Sequence, residues 1–372
     1  MPVAGKCGVA GASADRMVRL PGGRSRRKVS SVRCYSHFLD RMTNSKAEST
    51  PYNRAHHWFT VLAAGCVFLL IIAGALVTSN DAGLSVPDWP TSFGSLYRIP
   101  PLVGGVRFEH VHRMIAEAIG LLTIIVAVWT QKVDRRQWIR VLSWCALGTV
   151  IAQGILGGLT VLFYLPPAIS TAHATLGQTF FCIMVGIAFF TSRSWVEAPQ
   201  PVVRLDEQPR LTTLATWTVV AVWLQLIMGA AFRHSGIRLL PHLVGAAVVF
   251  GMVNWLGITT LKRHRKVPQL ARPAGALLFL LALQIKLGFS SYVTRVVWNH
   301  GISAPLASMV VATVAHVACG ALVLVTAVIL AIQIHRHVME PEFVPWVEPL
   351  ALSSSPAGEV PGSAAKAQGA DA

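Results

Sequence analysis

The chain has 372 residues, of which 53% are apolar and only 13% are Asp, Glu, Lys or Arg. A soluble domain carries about 25% charged residues, so a soluble enzyme built on one core is excluded. The 32 basic and 16 acidic residues give a net charge of +16. No nucleic-acid motif accompanies that excess, which is read as the positive-inside bias of a membrane protein whose partner is the lipid bilayer.

Residues 1–54 are polar and basic, as in RLPGGRSRRKVSSVR, and lack the apolar core of a secretory signal. They are expected to be a disordered arm, with a transit peptide or a misplaced start codon as open alternatives. Apolar runs long enough to cross a bilayer follow at 59–79, 111–130, 141–161, 173–192, 213–231, 242–261, 273–295 and 307–333. Pro166-Pro167, Pro241 and Pro305 stand before the fourth, sixth and eighth runs, where a missing N–H costs nothing. Loops 131–140 (Lys132, Arg135, Arg136, Arg140), 193–212 (Arg193, Arg204, Arg210) and 262–272 (Lys262, Arg263, Arg265, Lys266, Arg272) carry more cations than loops 80–108, 162–172 and 232–241. Both termini are therefore expected in the cytoplasm. Residues 338–372, rich in Ala, Gly and Ser, are expected to be a disordered tail. The six cysteines are scattered, with no C-x-x-C pair, which argues against disulfide scaffolding and thiolate metal sites.

A helical hairpin is repeated four times. Q-x-x-x-G recurs near the outer ends of spans three, five and seven, as Gln153–Gly157, Gln225–Gly229 and Gln284–Gly288, and span one has Leu70 and Gly74 at the same offset. Each following even span carries a histidine near its outer end: His112, His173, His242 and His316. Ala116, Gly177, Ala246 and Gly320 come four residues later on the same face. They leave a flat patch for a large planar ligand, or simply permit close helix packing. Two hairpins make a four-helix half. The expected fold class is an all-α polytopic membrane protein whose eight transmembrane helices form two similar four-helix bundles. The first half covers 55–192 and the second 213–337, joined by a cytoplasmic linker at 193–212.

Nine of the 13 histidines have ordinary places. His37, His56, His57, His264, His335 and His337 fall in tails or polar loops, and His110, His234 and His300 in outer loops or at span edges. The four repeated ones sit at membrane depth, where polar residues are costly and usually functional. Neutral imidazoles suit axial ligation of haem iron. Two per half fit two bis-histidine sites better than a zinc site, which wants three converging ligands. Glu109 precedes His112 by three residues on one helix face. A carboxylate there can transfer protons or stabilise a carbocation at a porphyrin edge, or it can merely bridge to Arg113 or Arg107. No acid stands at the matching place before His242. The first half is therefore expected to be catalytic and the second to hold a fixed cofactor. Glu117 is expected to pack or to join a polar network. Arg233, Arg238 and Arg295 can pair with haem propionates or anchor the interface, and Lys286 has no assigned role.

With these residues in view, the chain resembles the haem A synthase family over about residues 58–337. The family's outer-loop motif G-L-S-x-P-D-W-P reads Gly83 to Pro90 here, and its E-x-x-H-R reads Glu109 to Arg113. The resemblance implies that Glu109 is essential for oxidation, that His112 and His173 hold the substrate haem O, and that His242 and His316 ligate the iron of haem b. Many bacterial members carry a cysteine pair in the outer loop; Val86 and Ser92 stand in the matching places.

The resemblance implies an oxidoreductase of the bacterial cytoplasmic (inner) membrane. It would oxidise the C8 methyl group of haem O to a formyl group, giving haem A for terminal oxidases, with water as the oxygen source. Two hydroxylations with loss of water, or a carbocation captured by water, are the two routes. Haem O synthase (the protohaem farnesyltransferase) and oxidase assembly factors are the implied partners. Two other functions also fit four matched histidines: a dihaem cytochrome drawing electrons from quinol, and a non-enzymatic haem carrier. The loop charges make one prediction: a reporter fused at residue 95 should report the outer side and one at residue 267 the cytoplasm. The reverse pattern overturns the orientation.

Overall fold

The computed structural model describes residues 51–96, 98–197, 203–204, 210–298 and 305–339. Most of the basic arm and of the tail, part of the 193–212 linker, and His37 and His300 lie outside the described residues. Among the described residues, eight helices are long and apolar enough to cross a membrane. They are α1 (Arg54–Ser79), α2 (Val106–Val133), α3 (Gln137–Leu162), α4 (Pro167–Phe190), α5 (Leu211–Arg233), α6 (Leu239–His264), α7 (Pro268–Tyr292) and α8 (Ala307–His337). The protein is thus an all-α polytopic membrane protein.

Every apolar run holds one helix, and every helix runs beyond its run at one or both ends. Backbone groups leaving the hydrocarbon still need hydrogen bonds, and continuing the helix supplies them. This moves several expected boundaries. Glu109 lies in the first turn of α2, where a carboxylate also meets the positive end of the helix dipole. Pro241 does not precede the sixth helix but sits in its first turn. Pro273, expected to open span seven, lies inside α7, which starts at Pro268.

The ends of α1, α3 and α5 share a cap that the sequence does not announce. Ala82, Leu165 and Gly236 donate their N–H groups to Val77, Thr160 and Ala231 at 2.9, 2.7 and 2.7 Å. Asp81, Tyr164 and Ser235 donate to Thr78, Val161 and Phe232. Together these are the two bonds of a Schellman motif. Its left-handed residue is usually glycine, but here φ is +51° at Asp81, +58° at Tyr164 and +60° at Ser235. The fourth odd helix departs from the pattern: α7 passes directly into a π-helical turn, Val293–Trp298.

Within the hairpins, α1 packs on α2, α3 on α4, α5 on α6 and α7 on α8. Helices α2 and α3 also meet, as do α6 and α7, α1 and α4, and α5 and α8. Across the middle, α1 touches α8, and α4 touches α5 and α8. Helices α4 and α8 are the most enclosed of the eight. Phe180, Met184 and Ile187 of α4, with Val67 of α1 and Val325 of α8, make one apolar cluster. Leu256, Leu277 and Leu330 belong to a second, and Cys182 touches both. Lipid is as apolar as leucine, so such clusters hold through dispersion and close fit rather than through exclusion of water.

Polar ties fasten the helix ends. Arg233 of α5 donates to the Ala75 carbonyl at 3.0 Å and to Ser79 Oγ at 2.8 Å. Ser79 Oγ in turn lies 2.8 Å from Thr313 Oγ1 of α8. At the opposite end, Val203–Arg204 of the linker pairs in parallel with Val338–Met339 after α8. Arg336 lies 3.9 Å over the Trp195 ring and donates to its carbonyl at 2.9 Å. The part of the linker described and the start of the tail are therefore joined rather than free.

Tyr164 is 82% exposed, so its left-handed backbone is the main constraint on its identity. A β-branched residue at φ near +58° is sterically worse. Tyr164→Val should cost about 1 kcal/mol and lower the thermal midpoint in detergent, while Tyr164→Gly should not lower it. An unchanged midpoint for Tyr164→Val contradicts the cap.

Candidate functional site

Each repeated histidine lies against a bare glycine of the preceding helix. A methyl group added at Gly74 would sit 3.0 Å from Cε1 of His112; at Gly157, 3.2 Å from His173; at Gly229, 3.0 Å from His242; at Gly288, 3.0 Å from His316. In all four the same ring edge faces the glycine, with Cε1 nearest, then Nδ1, then Nε2. The glycine of Q-x-x-x-G is therefore the seat of the imidazole, and any side chain there would push the ring away.

The glutamine of the motif crosses to the histidine's own helix. Gln225 Nε2 lies 3.0 Å from His242 Nδ1 and donates to the His242 carbonyl at 2.9 Å. Gln284 Nε2 lies 3.4 Å from His316 Nε2. A methyl group added at Gly177 would sit 2.7 Å from Gln153 Nε2, and one at Gly320 3.3 Å from Gln284 Nε2. This corrects the flat-patch reading at Gly177 and Gly320. Those glycines receive a glutamine amide; they are not open faces for a planar ligand.

The second pair of histidines is brought together directly. The ring centroids of His242 and His316 are 6.4 Å apart, with planes 86° to each other. Two imidazole nitrogens on opposite sides of one iron, each about 2 Å from it, put the ring centres about 6 Å apart. The pair thus fits a bis-histidine haem. The Nδ1 atoms of His112, His173 and His316 are buried without a hydrogen-bond partner, and His112 and His173 are close enough to act on each other electrostatically.

Above the first pair, the α1–α2 loop is clamped from α2. Glu109 is 4% exposed. Its Oε2 accepts the Val86 N–H at 2.8 Å, and its Oε1 accepts from Arg113 at 2.5 Å. Arg113 also donates to the carbonyls of Val86, Asp88 and Thr91 at 3.0, 2.7 and 3.1 Å. The bridge to Arg113 weighed from the sequence is therefore present, and Arg107 instead lies over the Phe108 ring. The Asp88 carboxylate accepts from the Thr91 hydroxyl and from the N–H groups of Phe93 and Gly94. Slight burial pushes its pKa up, but these donors outweigh it and hold the carboxyl at about 2. Because the folded pKa is depressed, this contribution to loop stability is present above about pH 3.8 and is lost as pH falls toward 2. Trp89 lies on Gly158, next to the glycine that seats His173, where any side chain would collide with the indole.

Other expected residues fall differently. Arg233 bonds to Ala75 and Ser79, Arg295 is half-buried and Arg238 is exposed. Glu117 is exposed on α2 rather than packed, and Lys286 is exposed on α7. His56, His110, His264 and His337 are buried within helices rather than lying in loops or tails. His56 is bonded to Thr130 and His110 to Ser92. Helix extension past the apolar runs explains the difference. His234 is a neighbour that the sequence does not single out. It caps α5 near His173, and burial, then Arg233, pushes its pKa down to about 4.

The family model described as cytochrome oxidase assembly protein, COX15-CtaA, matches residues 106–240, from α2 into the start of α6. A haem A synthase of Lysinibacillus sphaericus is 27% identical over 187 residues, covering 50% of this chain and 60% of that relative. One of Alkalihalophilus pseudofirmus is 27% identical over 147 residues, covering 38% of this chain and 49% of the relative. One of Symbiobacterium thermophilum is 29% identical over 259 residues, covering 61% of this chain and 82% of the relative. The chain thus spans about half to three-fifths of the length of the first two relatives. The matched region holds the α2 clamp, two of the seated histidines and the cap of α5, and over it the chain is similar to the COX15-CtaA family of cytochrome oxidase assembly proteins and to haem A synthases.

Proposed function

We propose that this protein is a haem A synthase, oxidising the C8 methyl group of haem O to a formyl group. The reading is carried by the His242–His316 pair, whose 6.4 Å centroid separation suits one axially ligated iron. In this reading the eight helices work as two four-helix halves, 55–192 and 213–337, with both termini on the cytoplasmic side of a bacterial membrane. The repeated glycine seats and the shared caps of α1, α3 and α5 support the repeat. Haem b between His242 and His316 supplies one-electron redox chemistry when bound.

The substrate haem O is held by His112 and His173. Conversion of methyl to formyl removes four electrons and four protons, and water supplies the oxygen. Glu109 is the one acid placed on the His112 side of α2 and enclosed there. Its Arg113 and Val86 partners fix its position, and a carboxylate there can accept a proton leaving the methyl carbon or steady positive charge growing there. The Trp89-bearing loop covers this end and limits water. The product suits a terminal oxidase, and haem O synthase and oxidase assembly factors are the corresponding partners.

Two measurements test the assignment. His242→Ala and His316→Ala should each abolish the bis-histidine low-spin signal of haem b while the protein still reaches the membrane. Retention of the full signal in both refutes the pairing. Glu109→Gln should keep both haem signals and reduce haem A formed per mole of haem-loaded protein by about 100-fold or more. Near wild-type turnover overturns the catalytic role. A parallel loss of protein and haem instead marks the carboxylate as a loop clamp alone.

A further inference from the structure

Two charged residues deep in the helices belong to neither histidine pair. Glu117 of α2 and Lys286 of α7 lie eleven or more residues from either end of their membrane-crossing segments, Val106–Val133 and Pro268–Trp298. No other Asp, Glu, Lys or Arg among the described residues lies so far inside one. Both residues are exposed. Neither side chain has an ion-pair or hydrogen-bond partner among the described residues. They also turn away from the histidines. With 3.6 residues per turn, Glu117 is about 140° around α2 from His112, and Lys286 about 160° around α7 from Gly288, the seat of His316.

The two stand at one depth. Glu117 is between three and four residues from the middle of its apolar run, 111–130, and Lys286 is two from the middle of 273–295. Both displacements are toward the end that carries the histidines. At 1.5 Å per residue, acid and base lie about 3–5 Å from mid-membrane in the same leaflet. The hydrocarbon extends about 15 Å from its middle, so about 10 Å or more separates each from its surface. Neither the two methylenes of a glutamate nor the four of a lysine span that. Ionisable residues at such depth ordinarily face the bundle interior and pair there, but these face outward. Helix α1 touches α2 and α8, and α8 touches α7. The row α2–α1–α8–α7 thus has the acid on one end helix and the base on the other. Exposed Met114, Leu121 and Ile124 share the Glu117 stripe, and exposed Phe279, Ala282 and Phe289 the Lys286 stripe.

We propose that the α2 face of one copy of this chain docks on the α7 face of a second copy within the membrane, pairing Glu117 of the first with Lys286 of the second. The two groups have opposite sign and matching depth, and each lacks the counter-charge that the other supplies. Away from water such a pair attracts far more strongly than at a surface. The apolar side chains on the two stripes supply the close packing that joins helices in lipid. The contact uses two different faces, so it is head-to-tail and repeats from copy to copy until a ring closes. It leaves both histidine pairs untouched and holds whatever reaction they serve.

The test uses full-length protein, purified and reconstituted in phosphatidylcholine vesicles, with donor and acceptor fluorophores on separate copies. No other protein is then present to fill the contact. Wild-type copies should show energy transfer. Glu117→Lys alone and Lys286→Glu alone should each weaken self-association about tenfold or more, because like charges then meet. Mixing the two variants should restore transfer, since each presents the charge that the other lacks. The double variant, with the signs exchanged, should restore it too. Should a reversal fail to insert, Glu117→Gln and Lys286→Gln probe the same contact and should each weaken transfer. Wild-type transfer no greater than that of a monomeric membrane protein overturns the proposal. So does undiminished transfer in the inserted reversal variants or in both neutral ones. A loss that neither the mixture nor the double variant recovers overturns it as well, because the charges then act separately.

Discussion

An imidazole resting on the backbone of a glycine one helix away sets the geometry of this protein. The contact occurs four times, with the same ring edge and within 0.2 Å of the same distance (3.0 to 3.2 Å). It requires the two helices of a hairpin to approach until a methyl group no longer fits between them. Depth and direction of the imidazole then follow from helix periodicity. A bulky residue on the odd helix would part the hairpin. A small one on the even helix does something else, since Gly177 and Gly320 make room for glutamine amides.

The α1–α2 loop depends on a different device. A half-buried Arg113 and a buried Glu109 neutralise each other and spend their remaining hydrogen-bonding capacity on the backbone of residues 86–91. Replacing such a pair by apolar groups can be neutral, but removing one partner strands a buried charge and costs about 3–5 kcal/mol. That is why the same glutamate can serve a loop and a reaction, and why the two roles have to be separated by counting haem-loaded molecules. Asp88, half-buried, shapes the turn that follows through the bonds its carboxylate accepts.

Hydropathy placed all eight helices because lipid-facing surfaces must be apolar whatever they enclose, and the histidines stood out because polar atoms at depth are rare. The ends were harder to read. Backbone hydrogen bonding carries helices past their apolar runs, so buried His56, His264 and His337 looked like loop residues. The Schellman caps were invisible because Asp81, Tyr164 and Ser235 hold positions where glycine would have signalled them. Q-x-x-x-G was legible as a repeat, but its meaning lies between helices: one residue seats a ring on the next helix and the other reaches past it. The contact of Trp89 with Gly158 joins segments about seventy residues apart, and no local pattern encodes it.

The bond from Arg233 to Ala75 and Ser79 has a consequence for where the chain can be divided. A fragment ending after α4 would leave the Ala75 carbonyl and the Ser79 hydroxyl without the Arg233 donor. A fragment starting at α5 would leave the Arg233 guanidinium without these two acceptors. Each break is costly alone, and the two are complementary. Separately synthesised pieces would therefore recover their lost hydrogen bonds only by finding each other, and a nick between α4 and α5 would behave as a reversible joint rather than as a lethal cut.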